Sequence, residues 1–385
     1  MQPEPLTVTI PQDCLDDLRR RLTGARWMQE IPDAGWDYGT NAGFLRTLID
    51  YWRDGYDWRA TESFINTFNN QRVDIDGMGI HFIHERGTGP NPLPILLSHG
   101  WPSTFYEMLR LLPLLTNPAS HGGDPGDAFD VVVPSIPGYP FSDQPATRGF
   151  HYGHVAEQWV ALMEGLGYPR FGVHTYDVGR SVMSMLLRTD AQRIIGYHTS
   201  EPGNPSPNLG PGSAPLTEAE RAYMEAQRRW QAQEGGYMAL QTTRPHSLGY
   251  GLTDSPLGLA AWVIEKWFAW TEPPSGNLLD SFSMDDLLAT LTLYWATGTI
   301  NSANRLYFER ARSAVPLGPD ERIAVPYGVT RSTQAIERVP REHVERVFTN
   351  LRHWADFERG GHFVALEEPE LVATAIRDFF RPLRS

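Results

Sequence analysis

One aspartate stands where the sequence predicts a sharp turn from a strand into a helix. Asp177 is the central residue of Thr175-Tyr-Asp-Val-Gly179, which joins an apolar run at 171–175 to a helical pattern at 180–187. Small residues at both ends of such a turn permit the tight backbone that points the central side chain into a pocket above a sheet. The pattern predicts that Asp177 is a nucleophile, and an ordinary aspartate capping the helix is the alternative.

A carboxylate in this position restricts the reaction, because an esterase would carry serine there. Attack of a carboxylate on an acyl carbon gives only a labile anhydride, whereas attack on a saturated carbon gives an alkyl ester that water can cleave. The sequence therefore predicts a substrate with a strained or displaceable group on saturated carbon, which means an epoxide or a halide.

A histidine late in the chain is the expected base. His362 follows two glycines, Gly360 and Gly361, and precedes the last predicted helix, at 369–380. Neutral histidine can take a proton from water near neutral pH, and a histidine that follows its nucleophile in the chain fits this kind of turn. We therefore expect His362 to activate the water that cleaves the ester.

A second loop is expected to supply a backbone donor. The residues His99-Gly-Trp-Pro102 follow a short apolar strand at 95–98. The N–H groups of Trp101 and Val178 are expected to converge on the carboxyl oxygen of Asp177 and to form an oxyanion hole.

The remaining pattern describes the elements that must position these groups. Helical segments separate short, continuously apolar runs, which indicates a parallel sheet covered on both faces and hence an α/β fold. The runs are at 95–98, 130–134, 171–175 and 194–198, and a helix is expected at 104–115 after the first of them. The predicted organisation is an N-terminal extension that wraps the core (1–80), the first part of the core (81–204), a helical cap (205–312) and the second part of the core (313–385).

The composition excludes several classes of protein. The 385 residues carry a formal net charge of −13 and are 41% hydrophobic, which argues against disorder and against nucleic acid or an anionic membrane as a partner. The single cysteine, Cys14, excludes an intrachain disulfide. No apolar run reaches the roughly 18 residues that span a bilayer, and no signal-peptide pattern is visible, so we expect a cytoplasmic protein. Lys266 is the only lysine among 33 basic residues, which favours a GC-rich, bacterial source.

Taken together, these motifs resemble those of one family, the epoxide hydrolases of the microsomal and juvenile-hormone type with their bacterial relatives. The matching segments cover nearly the whole chain and lie at 52–59, 80–84, 99–102, 137–139, 254–260, 294–298 and 360–363. The resemblance implies an α/β-hydrolase core with a mostly parallel sheet, a helical cap insertion and an N-terminal extension of the epoxide hydrolase type.

The resemblance also implies which residues act on the epoxide oxygen. Tyr237 and Tyr307 match the two cap tyrosines of the family, whose phenols hold that oxygen. Ring opening needs such donors because an alkoxide is a poor leaving group. Met238 is expected to line the substrate pocket together with Trp101 and Pro102.

One departure from the family concerns the acid that orients the histidine. The family usually places this acid shortly after the strand expected at 323–326, but Ala335 stands at that position and Glu337 is two residues away. Haloalkane dehalogenases supply the acid from the end of the strand before the cap, where this chain has Glu201. We therefore expect Glu201 to orient His362, with a cap at the start of the insertion as its alternative role.

We therefore expect the protein to be an epoxide hydrolase that works without metal or organic cofactor. It would form a vicinal diol from a bulky, aromatic epoxide and water. The resemblance further implies a secondary-metabolite role, because bacterial members of this type often serve antibiotic pathways, including enediyne and aromatic polyketide ones. A dehalogenase-like hydrolase and a binding protein that has lost turnover are the alternatives. The oligomeric state is open, and a homodimer is one expectation.

Overall fold

A sheet of mostly parallel strands forms the frame of the molecule. The computed structural model describes residues 1–203, 205–210, 212–334 and 338–384. Within these residues the strands are β1 (Glu4–Pro5), β2 (Asn70–Ile75), β3 (Met78–Glu85), β4 (Leu93–Ser98), β5 (Phe129–Pro134), β6 (Phe171–Thr175), β7 (Ile194–Thr199), β8 (Tyr327–Arg331) and β9 (Leu351–Asp356). They lie in the order β1-β2-β3-β5-β4-β6-β7-β8-β9, with antiparallel pairs up to β3/β5 and parallel pairs beyond it.

Helices cover both faces of the sheet and form a separate layer above it. In the described chain they are α1 (Gln12–Thr23), α2 (Ala42–Asp54), α3 (Trp58–Ile65), α4 (Leu111–Thr116), α5 (Tyr152–Gly165), α6 (Asp177–Thr189), α7 (Glu218–Glu234), α8 (Gly236–Thr243), α9 (Pro245–Asp254), α10 (Pro256–Thr271), α11 (Met284–Thr297), α12 (Ile300–Ser313), α13 (Arg341–Glu345), α14 (Val364–Glu367) and α15 (Pro369–Phe380). Successive side chains of a strand point to opposite faces. Val132 accordingly packs in one core cluster, while Val131 and Val133 pack in the other.

The N-terminal segment is bound to the core through the sheet. A two-residue turn joins β2 to β3, and Asp76 and Gly77 have φ angles of 55° and 79° there. Such left-handed angles are typical of the tight hairpin turn that Asp-Gly predicts. The expected boundary between extension and core at residue 80 falls inside β3. The extension and the core therefore share one sheet.

The segment between β7 and β8 contains helices α7 to α12 in the described chain, and the bounds 205–312 of the cap stay a prediction. The N-terminal segment also packs against this cap. The indole N–H of Trp52 donates to the hydroxyl of Thr292 at 2.9 Å in a buried contact, and Tyr51 donates to Asp285 at 2.8 Å. The cap is thus supported by α2 as well as by the sheet.

Two predicted elements are wrong in detail. The helix expected at 104–115 is divided into a 3₁₀ turn at Phe105–Met108 and the short helix α4. The strand expected at 323–326 is only an isolated bridge at Ile323, and β8 begins at Tyr327 instead. The cause of the second error is Pro326, which lacks a backbone N–H and is more compatible with the approach to a strand than with its interior.

Candidate active site

The turn between β6 and α6 holds Asp177 in a strained conformation. Asp177 has a φ of 50°, a left-handed value that is uncommon for residues other than glycine. The flanking residues leave little space, because a Cβ atom on Gly179 would lie 1.9 Å from the hydroxyl oxygen of Thr175. A Cβ atom on Gly100 would lie 2.3 Å from Oδ1 of Asp177. Gly179 is therefore required for the tight turn at Asp177, and Gly100 for the close approach of the loop after β4 to that turn.

A backbone amide of the loop after β4 faces the Asp177 carboxylate. The N–H of Trp101 donates to Oδ1 of Asp177 at 2.7 Å. Val178 follows Asp177 in the first turn of α6, where N–H groups lack acceptors within the helix. The two amides that the sequence predicts as an oxyanion hole thus belong to segments that meet at Asp177.

His362 lies on the other side of the carboxylate. Its Nε2 atom is 3.8 Å from Oδ2 of Asp177, and its backbone N–H donates to the carbonyl of Trp270 at 2.9 Å. Gly361 allows this contact with α10, because a Cβ atom there would lie 2.7 Å from the Cα atom of Thr271. Since the side chain of His362 is only 7% exposed, the base is shielded from bulk solvent.

Two cap tyrosines enter the same space from above. Tyr237 on α8 and Tyr307 on α12 are buried, and their ring centroids are 6.2 Å apart at an interplanar angle of 76°. Burial, together with the negative charge of Asp177, raises the pKa of both phenols well above the ordinary value. Neither hydroxyl takes part in a hydrogen bond within the described chain. Both are therefore neutral donors that are available to a ligand.

The cavity between these groups measures about 240 Å³. Asp177, Val178, His362, Tyr237, Tyr307 and Met238 are among the residues that line it. Trp101 and Pro102, which the sequence predicts as pocket residues, are not. Trp101 is fully buried, and its ring stacks on Tyr237 at 5.1 Å and 1°. The ring of Trp101 therefore packs behind Tyr237 and does not line the cavity.

Glu201 follows β7 and makes direct contacts with the turn between β6 and α6, here called the elbow. Its Oε2 atom accepts the backbone N–H of Asp177 at 2.6 Å, and its Oε1 atom lies 2.7 Å from the guanidinium of Arg180. Arg180 in turn donates to the carbonyl of Pro202 at 3.1 Å. These contacts fix the strained turn. The orientation of His362 by Glu201 stays a prediction.

The alternative acid lies outside the described residues, as does Ala335. The segment that leads to Glu337 is close to the histidine loop, because the N–H and the hydroxyl of Thr333 both donate to the carbonyl of Gly360 at 3.0 and 2.8 Å. Glu337 therefore has to be tested together with Glu201.

A buried acid that sequence reasoning missed lies beneath the site. Glu107 is 1% exposed and accepts a hydrogen bond from the hydroxyl of Ser103. Burial raises the pKa of Glu107 to about 7, with smaller effects from Ser103 and from the charges of His362 and Asp177. The signal in the sequence was a single acid within the apolar and aromatic run at 105–112. That signal is weak without the fold.

Two further findings concern partners. In the described chain no group of three or more His, Cys, Asp or Glu side chains is arranged to hold a metal ion. Among the described helices, none has both the length and the apolar character needed to cross a membrane.

The strand order and the elbow after β6 define the class of protein: it is an α/β-hydrolase, with an aspartate at the elbow and a helical cap. Comparison with known families agrees. Residues 3–108 match the family described as epoxide hydrolase N terminus, and residues 94–244 match the alpha/beta hydrolase fold. Similar solved structures include the juvenile hormone epoxide hydrolase of Bombyx mori (TM-score 0.86, 28% identity, covering 100% of this chain and 94% of that one) and the Aspergillus niger epoxide hydrolase (TM-score 0.85, 27% identity, covering 100% and 97%).

Relatives found by sequence comparison identify the family to which the chain belongs. A Stigmatella aurantiaca protein that bears the provisional name epoxide hydrolase is 40% identical, over 99% of this chain and 85% of its own. Epoxide hydrolase 1 of Sus scrofa is 33% identical, over 97% and 88%. The chain therefore belongs to the epoxide hydrolases, in the group with the mammalian epoxide hydrolase 1 and insect juvenile hormone enzymes.

Proposed function

We propose that this epoxide hydrolase opens its substrate in two covalent steps, through an ester on Asp177. The observation that carries the proposal is the position of the Asp177 carboxylate. One of its oxygens is held by the Trp101 amide at 2.7 Å, and the other lies 3.8 Å from Nε2 of His362. The Trp101 amide can thus hold the nucleophile, while His362 can activate a water molecule beside the carboxyl carbon of Asp177.

In the first step, the free oxygen of Asp177 attacks one epoxide carbon, and the C–O bond of the ring breaks. Tyr237 and Tyr307 donate to the departing oxygen, which carries the developing negative charge. Their raised pKa values support this role, since a phenol must keep its proton until the oxygen takes it. The product of this step is a hydroxyalkyl ester of Asp177.

In the second step, neutral His362 takes a proton from a water molecule that attacks the carboxyl carbon of Asp177. The N–H groups of Trp101 and Val178 stabilise the oxyanion of the tetrahedral intermediate. Collapse of this intermediate breaks the ester C–O bond, and the departing oxygen takes the proton of the new carboxyl group, which releases the vicinal diol and restores the carboxylate. The proton held by His362 returns to the phenolate that the first step leaves, so both residues regain their starting states. Glu201 is the predicted acid partner of His362, in addition to its contact with the elbow.

The remaining parts of the proposal concern the class of substrate, the source of the enzyme and its biological role. Trp230, Trp270 and Tyr152 line the cavity beside Met238, which supports a bulky aromatic epoxide. The predominance of arginine over lysine and the Stigmatella relative support a bacterial enzyme. We propose that it acts in the cytoplasm in secondary-metabolite biosynthesis, for example of an antibiotic.

A single turnover in ¹⁸O-labelled water tests the covalent mechanism. With enzyme in excess over styrene oxide, the label should enter Asp177 and not the first diol, because water attacks the carboxyl carbon. Peptide mass spectrometry locates the label. Direct attack of water on the epoxide would put the label in the diol and would overturn the proposal. Asp177→Asn, purified quickly to limit deamidation, is the control and should form no diol.

A further inference from the structure

An arginine lies where two cavities meet. The cavity described above, here called the reaction cavity, and a second one of about 410 Å³, here called the outer cavity, share Tyr152, Ser181, Ser206 and Arg310 as lining residues. Arg310 follows Tyr307 by three residues on α12. Residues with this spacing share a helix face and are about 4.5 Å apart along the axis. The backbone of Arg310 is therefore about one helical turn from that of Tyr307, and the side chains of both residues line the reaction cavity.

Arg310 differs from the other arginines of α12 in its contacts. Arg305 donates to the carbonyl of Pro145, and Arg312 donates to the carbonyl of Thr242 at 2.9 Å. No hydrogen bond or ion pair within the described residues engages the side chain of Arg310. A guanidinium that faces a cavity without an acceptor can bind an anionic group of a ligand.

The carboxylates of the reaction cavity have other partners. Asp177 accepts from the amide of Trp101, and Glu201 pairs with Arg180. The described lining of the outer cavity includes no Asp or Glu side chain. An anion at the junction of the cavities therefore meets the charge of Arg310, and no carboxylate is among the described residues that line the outer cavity.

We infer that Arg310 binds an anionic substituent of the substrate, a carboxylate in the simplest case, close to the epoxide ring. This inference rests on the proposed function, because it places the epoxide oxygen at Tyr237 and Tyr307. Tyr307 and Arg310 are about one helical turn apart on α12 and line the same cavity, so we place the carboxylate on a substituent near the epoxide ring. The substrate class is thus an epoxy acid, and the outer cavity provides room for the remainder of the molecule.

The test compares two substrates that differ only in charge, trans-3-phenylglycidate and trans-3-phenylglycidamide. The wild-type enzyme should prefer the carboxylate. In Arg310→Gln, the ratio of kcat/KM for carboxylate over amide should fall roughly 10- to 100-fold, mostly through KM, as expected for loss of a charge-assisted hydrogen bond. Because each ratio is compared between variants, the intrinsic reactivity of the two epoxides cancels.

Two variants serve as controls. Arg310→Lys keeps the charge and should retain part of the preference, whereas Arg312→Gln removes a charge elsewhere on the same helix and should leave the ratio unchanged. An unchanged ratio in Arg310→Gln would overturn the inference, and this includes an equal loss of kcat/KM for both substrates.

Two wild-type measurements keep the result interpretable if Arg310→Gln fails to fold. Inhibition of styrene oxide hydrolysis by 3-phenyllactate should be stronger than inhibition by its amide, and equal inhibition would overturn the inference. Absence of diol from styrene oxide and from both glycidic substrates would instead count against the proposed function.

Discussion

The backbone N–H of Asp177 donates to Oε2 of Glu201 at 2.6 Å, so the residue expected to serve the histidine also holds the nucleophile. The same Glu201 carboxylate pairs with Arg180 at 2.7 Å. An anion at the N-terminus of α6 is electrostatically favourable for the helix, and the contact offsets part of the cost of the left-handed φ of Asp177. Glu201 thus connects the last residues of β7 to the turn after β6.

Glu201→Gln should affect both chemical steps, but to different extents. Loss of the anionic acceptor loosens the elbow, and we expect ester formation to slow about tenfold, the scale of one hydrogen bond to a charged group. Loss of the histidine's partner acid should slow ester hydrolysis by at least about 100-fold. The ester should therefore accumulate, and rapid-quench mass spectrometry measures both rates.

Glu337→Gln is the matched comparison for this experiment. If Glu201 orients His362, hydrolysis in Glu337→Gln should stay close to wild type. Equal slowing of both steps in Glu201→Gln, combined with ester accumulation in Glu337→Gln, would identify Glu337 as the acid that orients His362. The role of Glu201 would then be limited to its contact with the elbow.

The parts of the fold that the sequence predicted well are those with strong local signals. The strand Phe171–Thr175 and the helix Pro369–Phe380 have the predicted bounds, because apolar continuity and a proline at the first helical turn are unambiguous. The prediction for the segment 104–115 failed because its apolar residues fit one helix, whereas the fold divides them into a 3₁₀ turn and the short helix α4.

The site shows the same division between local and long-range information. Asp177 and His362 could be found from motifs, since each lies in a turn whose glycines are visible in the sequence. Glu107 and Arg310 could not be, because an acid within an apolar run is only a weak local signal of burial, and no local signal distinguishes a cavity arginine from an exposed one. The contact between Glu201 and the amide of Asp177 spans two strands and depends on their register.

His362→Gln should trap the covalent intermediate. Alkylation of Asp177 needs no base, whereas hydrolysis needs a proton acceptor near the carboxyl carbon, and Nε2 of His362 lies 3.8 Å from Oδ2. Incubation with styrene oxide should add one substrate mass to the protein. The double variant Asp177→Asn/His362→Gln should show no adduct, and an adduct there, or none in the single variant, would contradict the assignment.

Replacement of the cap phenols should slow ring opening. Tyr237→Phe and Tyr307→Phe should each lower the single-turnover rate of ester formation by about 100-fold, the effect of removing one aligned oxyanion donor. The double variant should lose far more, because no donor then remains for the alkoxide. Tyr250→Phe, at an exposed position of the cap, is the control. Normal ring opening in the double variant would show that the phenols are not the electrophile.

The raised pKa of the phenols adds a pH criterion. Since burial keeps Tyr237 and Tyr307 protonated well beyond their ordinary range, ester formation should not decline on the alkaline side near pH 10. A decline there that is absent from the double phenylalanine variant would contradict the described environment.

The buried carboxyl of Glu107 should make the stability of the protein depend on pH. Its pKa is raised to about 7 from the ordinary value of 4.5, chiefly by burial. The folded state therefore binds a proton more tightly than the unfolded state does, so this contribution is complete below about pH 4.5 and is lost as the pH rises through about 7. The expected loss in the free energy of unfolding is roughly 3 kcal/mol across this window.

Glu107→Gln should remove that dependence, because the amide does not titrate and can still accept the hydrogen bond from Ser103. Urea unfolding at about pH 5 and about pH 8 gives the two free energies for each protein. Wild type should lose more stability than Glu107→Gln between these values, whereas Glu218→Gln, at an exposed position on α7, should follow wild type. Parallel pH profiles for wild type and Glu107→Gln would mean that Glu107 does not take up a proton on folding, and the acid beneath the histidine would then be ionised throughout.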